Sequence, residues 1–318
     1  MSPSLPACPR RSTLSLLQAV PLALLGLAVH AAPLRGQTLD DGLTVPRRQL
    51  RVSIEYAHDR WDRYWEGTLR RSNANIGTLS TESVTWIAGY GVTSRLSVFA
   101  ALPHVRTRAS EGVLQEMRGW QDLTVAAKLG LLERRVADRA TLGTVLLAAV
   151  AAPTSDYTPD FLPLSIGLGA RRATARGVVH LQDRTGVFVD AGAGYSWRST
   201  VHLDRPAYYT DGHLVLGDEV AMPDVFDYAV GAGFQGGGFQ LPIMLVGQRT
   251  LGGGDIRRQD MPFVSNRMDF VRLQARAMYA LPRVRGVMLG AGFARTLTGR
   301  NVGQSTTLWA GLTTVFGL

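Results

Sequence analysis

A chain of 318 residues with mean hydropathy near zero has room for two soluble domains or one large barrel. Beyond the N-terminal leader no apolar run reaches the about 18 residues of a helical membrane span. The formal charge of +9 is almost wholly arginine, with Lys128 the only lysine. These arginines are scattered singly through turns and strand faces, which argues against nucleic acid as a partner.

The leader sets the compartment. Arg10-Arg11 is followed by an apolar stretch from Leu14 to Val29, and Val29-His30-Ala31 ends it with small residues. This reads as a cleaved signal peptide, residues 1–31, for the general secretory route. Cys8 leaves with it, so the mature chain has no thiol chemistry. Residues 32–48 have no periodicity and several Pro, Gly and Asp, and read as a disordered periplasmic segment preceding a domain at 49–318.

From Gln49 the pattern changes to a period of two, the signature of strands with one apolar face. Leu50, Val52, Ile54 and Tyr56 alternate with Arg51, Ser53 and Glu55. A loop carrying Trp61, Tyr64 and Trp65 follows, read as an interfacial aromatic girdle in preference to a sugar-contacting loop. The clearest stretch runs from Ser83 to Leu131. Val84, Trp86, Ala88 and Tyr90 form one strand face, then Leu96, Val98, Ala100 and Leu102, then Leu123, Val125, Ala127, Leu129 and Leu131. A short turn (Gly91 to Ser94) joins the first pair and a polar loop (Arg106–Gly119) the second.

This stretch resembles a known family. Gly89-Tyr90-Gly91-Val92-Thr93-Ser94-Arg95-Leu96, then Leu102-Pro103, then Gly119-Trp120-Gln121-Asp122-Leu123-Thr124 with Lys128 looks like the outer-membrane β-barrel family of the meta-pathway of phenol degradation, whose members are labelled transporters. Trp120 stands where a smaller residue is expected. The resemblance implies passage of small hydrophobic or aromatic molecules. It also implies a C-terminal strand read by the barrel-assembly machinery.

Further strands are expected at Ala140–Ala151, Leu162–Arg171, Thr185–Trp197, Val225–Phe234, Phe239–Gln248, Met268–Leu281, Val287–Phe293 and Ser305–Leu318. Gly236-Gly237-Gly238 is a strong hairpin turn. The total is twelve strands, an even number that returns both termini to one side. Short turns alternating with long loops, together with the exported leader, predict an all-β, transmembrane, antiparallel up-and-down barrel in the bacterial outer membrane. Its apolar face meets outer-membrane lipid. The final strand carries Phe316 two residues from the end, where the family would place an aromatic last.

The opposite face then lines the lumen. It carries Arg51, Glu55, Asp122, Lys128, Asp190, Asp227, Arg272, Gln274 and Arg276. Both signs occur, so this lining is either an ion-paired wall or a selectivity filter for a small-molecule solute. Twelve strands lie between the filled eight-stranded and open sixteen-stranded barrels. A narrow or plugged pore follows, with the leader-proximal tail or an inward-folded loop as the plug. No catalytic residue, metal site or cofactor is assigned. His58-Asp59, His202 with Asp204, and Asp211 with His213 are the pairs that an alternative lipid- or peptide-hydrolysing barrel would need. They fall in or near loops and within no motif. A pore-less structural barrel is the other alternative.

Overall fold

The structure, a computed structural model, describes residues 41–136, 139–210, 212–257 and 262–318. The leader, residues 32–40 and Asp211 lie outside them.

Twelve antiparallel strands close into a barrel. They are β1 (Gln49–Trp61), β2 (Leu79–Gly91), β3 (Leu96–Ala109), β4 (Asp122–Val136), β5 (Ala140–Pro153), β6 (Arg172–Asp183), β7 (Val187–Arg198), β8 (Val225–Gly236), β9 (Phe239–Thr250), β10 (Asp269–Ala280), β11 (Val287–Arg300) and β12 (Thr306–Gly317). Each pairs with its neighbours in sequence. Closure comes from β1, which pairs with β2 and also with β12, Gln49 opposite Gly317 and Arg60 opposite Thr306. Among the described residues there is no helix. Closure leaves no unpaired wall edge, which is the condition for a sheet to sit in hydrocarbon. Two bulges break the ladder, at Leu131 in β4 and at Leu297 in β11, opposite Val271 and Arg272.

The period-two pattern decides which side of the wall each residue meets. Large apolar side chains such as Val150, Ile243, Leu308 and Leu312 stand exposed on the outside. Aromatic residues gather toward its two ends. Trp86 and Trp120 lie 5.3 Å apart toward the long-loop end, and Phe239 stacks on Tyr279 at 4.4 Å beside the turn at 237–238. A closed wall with an apolar belt and aromatic borders is built for lipid outside and water inside.

The expected count of twelve matches, but one strand moves. Residues 162–171 form no strand. Pro163 has no N–H, and the N–H groups of Leu164 and Ser165 turn back to the Phe161 carbonyl. The strand is β6 instead, whose outward face near its start is small (Ala173, Ala175, Gly177) and gives little hydrophobic signal. The expected loop at 106–119 is also shorter. β3 continues to Ala109, and Met117–Trp120 pairs back on it, Trp120 opposite His104. Elsewhere strands reach further than expected, β11 to Arg300, and short hairpins form within the loops, Arg63–Glu66 with Leu69–Ser72 and Ala207–Thr210 with His213–Leu216.

Candidate functional site: the barrel lumen

The short-turn end is partly occupied by the segment expected to be disordered, beside a cavity of about 520 Å³ lined by Gly42, Thr44, Arg95 and Arg135, among others. Its described part, residues 41–48, runs inside the barrel. Val45 is 0% exposed and packs against Phe99 and Ala126. Its N–H donates to Ser97 Oγ at 2.8 Å. Lys128, also 0% exposed, donates from Nζ to Asp41 O (2.9 Å), Asp41 Oδ1 (3.0 Å) and Leu43 O (3.3 Å). An ammonium has three donors, and a buried one is tolerable only when they are used. The segment leaves the lumen through a tight turn. Gln49 N–H bonds to Pro46 O, and Arg48 takes a left-handed φ of 60°. The Arg48 N–H bonds to Gly91 O and its carbonyl accepts from Leu318 N, so the turn is tied to both sides of the closure.

The motif residues are the receptor for this segment. A Cβ on Gly91 would overlap the Pro46 carbonyl, and one on Gly89 would come within 2.7 Å of the Phe99 ring. On the opposite side, a Cβ on Gly42 would come within 2.7 Å of His180 Cβ. Here glycine is required by close approach, not by chain flexibility. Asp122 of the same motif works at the other end, accepting from Tyr157 OH at 2.7 Å.

Among the described residues the middle of the lumen is hollow. One cavity of about 350 Å³ lies toward the long-loop end and is lined by Arg172, Thr174, Arg176, Arg198, Asp227 and Phe270, among others. A second, about 140 Å³, reaches down to Asp41 and is lined by Asp190, Asp227, Met244, Gln274 and Arg276, among others. Arg176 and Asp227 line both and form an ion pair across the β6–β8 wall. Gly194 lies between them in register, and a Cβ there would come 3.0 Å from Asp227 Oδ2.

The nine lumen candidates are thus spread over three levels. Arg51 is buried, and so is Lys128, which holds the inserted segment. Asp190 bonds His180 Nδ1 at 2.6 Å, and it shares the second cavity with Asp227, Gln274 and Arg276. Arg276 lies over the Trp309 ring at 4.7 Å, while Trp309 Nε1 donates to Glu55 at 2.8 Å. Arg272 donates to Ser305 Oγ at 3.1 Å and lies 5.1 Å from the Phe270 ring. Asp122 stands apart at the rim. Sequence reasoning missed Arg172, Arg176, His180 and Arg198. The first three lie on the misplaced strand, where their alternation (172, 174, 176, 178, 180) is legible once its inward face is allowed to be basic.

The long-loop end is covered by packed loops. Leu168 and Ala170, Val201 to Met222, and Phe263 to Val264 build a small apolar core from three loops, with Tyr208 stacked on Phe263 at 5.1 Å. Asn301 ties others together. Its Oδ1 accepts from Gly67 N and Ile256 N, and its Nδ2 donates to Asp255 and to Arg267 O. Trp61 and Tyr64 turn into this cover instead of forming a lipid-facing girdle. They line a third cavity, about 370 Å³, with Ile76, Leu162, Ile256 and Val302. Trp65 is buried, packed close to Gly299. His202 bonds Asp218 at 3.1 Å, well exposed on a loop, and this hydrogen bond holds the Asp218 carboxyl below its usual range.

A closed twelve-stranded barrel with an apolar outside and a charged, partly hollow inside is an outer-membrane β-barrel. The profile of the family described as "Putative MetA-pathway of phenol degradation" matches residues 70–312, and the chain belongs to that family. Its fold is similar to that of an outer membrane channel from Pseudomonas putida F1 (TM-score 0.68, 18% identity, covering 87% of this chain and 98% of that one). More distant likenesses are the translocator domain of the autotransporter NalP from Neisseria meningitidis (TM-score 0.45, 13% identity, 83% and 88% covered) and a Pseudomonas aeruginosa FadL homologue (TM-score 0.37, 11% identity, 86% and 91% covered). No curated protein sequence matches the chain. A closed barrel with an apolar belt of this kind belongs in the bacterial outer membrane.

Proposed function

We propose that this barrel is a gated channel for small hydrophobic or aromatic solutes, closed at the periplasmic end by residues 41–48. The observation that carries the reading is the hollow lumen, bounded below by a segment that enters it as a separate piece held by side chains. A barrel meant only as a wall would fill its interior from the strands themselves. The mixture of ion pairs with Met244, Met278 and Phe270 around the cavities suits solutes that are apolar with one polar end. In this reading residues 1–31 are a cleaved export signal. Outer-membrane lipid covers the outer face, and the assembly machinery reads β12.

The test is conductance of the refolded protein in planar bilayers, with solute entry into liposomes measured beside it. Small conductance steps that aromatic solutes block, together with faster entry of those solutes, are expected. A folded barrel that neither conducts nor admits solute, in the wild type and in variants that loosen the 41–48 segment, overturns the channel and leaves a structural barrel.

A further inference from the structure

The arginines around the cavity of about 350 Å³ are not distributed as an ion-paired wall requires. Arg172 on β6 lies directly opposite Arg198 on β7, and Thr174 lies opposite Ser196 in the same ladder. Like charges placed directly across a strand pair destabilise it. Both arginines line the same cavity as Arg176, and the lining contains one carboxylate, Asp227, which is already joined to Arg176. The next carboxylate, Asp224, takes the Tyr195 hydroxyl at 2.8 Å and the backbone N–H of Arg198 at 2.9 Å. Among the described residues the cavity therefore holds an excess of positive charge beside two hydroxyls, Thr174 and Ser196, 2.7 Å apart. Apolar side chains flank it, Leu147 and Ala149 on the neighbouring β5 and Val246 and Phe270 on β9 and β10.

We propose that this cavity is a binding subsite for a small amphipathic monocarboxylate. Arg172 and Arg198 hold the carboxylate, and an aromatic or short aliphatic body rests against Leu147, Val246 and Phe270. A bound carboxylate relieves the repulsion of the facing arginines, and guanidinium groups match its two oxygens in shape as well as charge. The volume of about 350 Å³ admits a single-ring acid. This assignment rests on the channel reading and narrows its solute, so the two need separate tests.

Binding to the full-length protein in detergent is measured by calorimetry with benzoate, with benzyl alcohol as its uncharged counterpart, and with chloride and phosphate as bare anions. Benzoate is expected to bind at least about tenfold more tightly than benzyl alcohol, the worth of a charge-assisted contact. The R172S/R198S double variant loses that preference with benzyl alcohol binding unchanged, and R172K/R198K keeps part of it. Equal binding of benzoate and benzyl alcohol to the wild type overturns the subsite. So does a preference that survives in R172S/R198S, provided the variant shows the wild-type heat-dependent gel shift of a folded barrel. Chloride or phosphate displacing benzoate at equal concentration also overturns it, because the site would then lack a place for the apolar body. Benzoate binding without solute entry into liposomes sinks the channel and leaves the subsite standing. Solute entry without charge preference does the reverse.

Discussion

At the scale of residues, the lumen is governed by a few contacts that cannot be exchanged one for another. Lys128 is the clearest. With its three donors on Asp41 and Leu43, K128M leaves one carboxylate and two carbonyls without that cation. Breaking a buried pair on one side costs about 3–5 kcal/mol. That cost falls on the inserted segment and not on the wall, which keeps its hydrogen-bond ladder. G91V attacks the same joint from the other side, because any Cβ there overlaps Pro46. Both variants should raise the open-state conductance and speed amide exchange across residues 41–48, with the wall strands unchanged. Unaltered exchange at Val45 in both would mean that the segment is not held as described. The motif itself was legible in the sequence, since Gly89, Gly91 and Lys128 stand out within a regular strand pattern. What the two glycines make room for was not legible. A period of two tells which face a residue occupies, but not what fills the space beyond it. The partner segment also has no periodicity of its own to announce that it is ordered.

At the scale of elements, the strands and the loops obey different logic. Strand positions followed from alternation wherever the outward face was large and apolar. β6 failed because alanine and glycine occupy that face, while Leu162, Leu164, Ile166 and Leu168 imitate a strand although they cover the mouth. Leu164 and Ile166 lose their solvent to loop packing rather than to a ladder, and Gln121 Nε2 reaches the Ile166 carbonyl at 2.5 Å. The loops in turn depend on charged hydrogen bonds. Asp255 accepts from Arg300 Nε at 2.7 Å and Nη2 at 2.6 Å, and from Asn301 Nδ2 at 2.8 Å. The Arg300 hydrogen bond is the main cause that holds its carboxyl below the ordinary aspartate value, with Asn301 adding to it. A carboxyl lowered by folding contributes stability that is present above its unfolded pKa, near 3.9, and is lost as pH falls through the lowered folded value. Residues 251–257 of this loop should therefore be locked at neutral pH and loosen only below about pH 4. D255N mimics the protonated state and should speed exchange in this loop about tenfold at neutral pH, leaving β9 and β10 protected. Identical loop exchange in D255N and wild type would show that the clamp does not hold the cover.

At the scale of the whole molecule, one assignment underlies everything else: the face carrying Leu308, Ala310 and Leu312 meets lipid, and the opposite face meets the lumen. The closure of β1 on β12 makes this an all-or-none choice. A register slip by one residue would exchange the two faces of a strand, and Gln49 opposite Gly317 through Arg60 opposite Thr306 fixes that register without interruption. Two arginine substitutions at similar depth separate the faces. L312R places a charge in mid-bilayer and should lower unfolding free energy in lipid vesicles by about 2–4 kcal/mol. Q274R adds the same charge to the inward face of β10, in the wet cavity that holds Asp41, Asp190 and Asp227 together with Arg176 and Arg276. Its cost should stay within about 0.5 kcal/mol, as at an ordinary wet position. The measurement is urea-induced unfolding of the refolded barrel in vesicles, followed by tryptophan fluorescence. A large loss in Q274R with little in L312R would invert the wall, and with it the lumen, its arginines and the site of closure. The expected order instead ties the apolar belt, the buried Lys128 and the hollow between β6 and β9 to one physical cause: a sheet closed so that hydrocarbon takes one face and water takes the other.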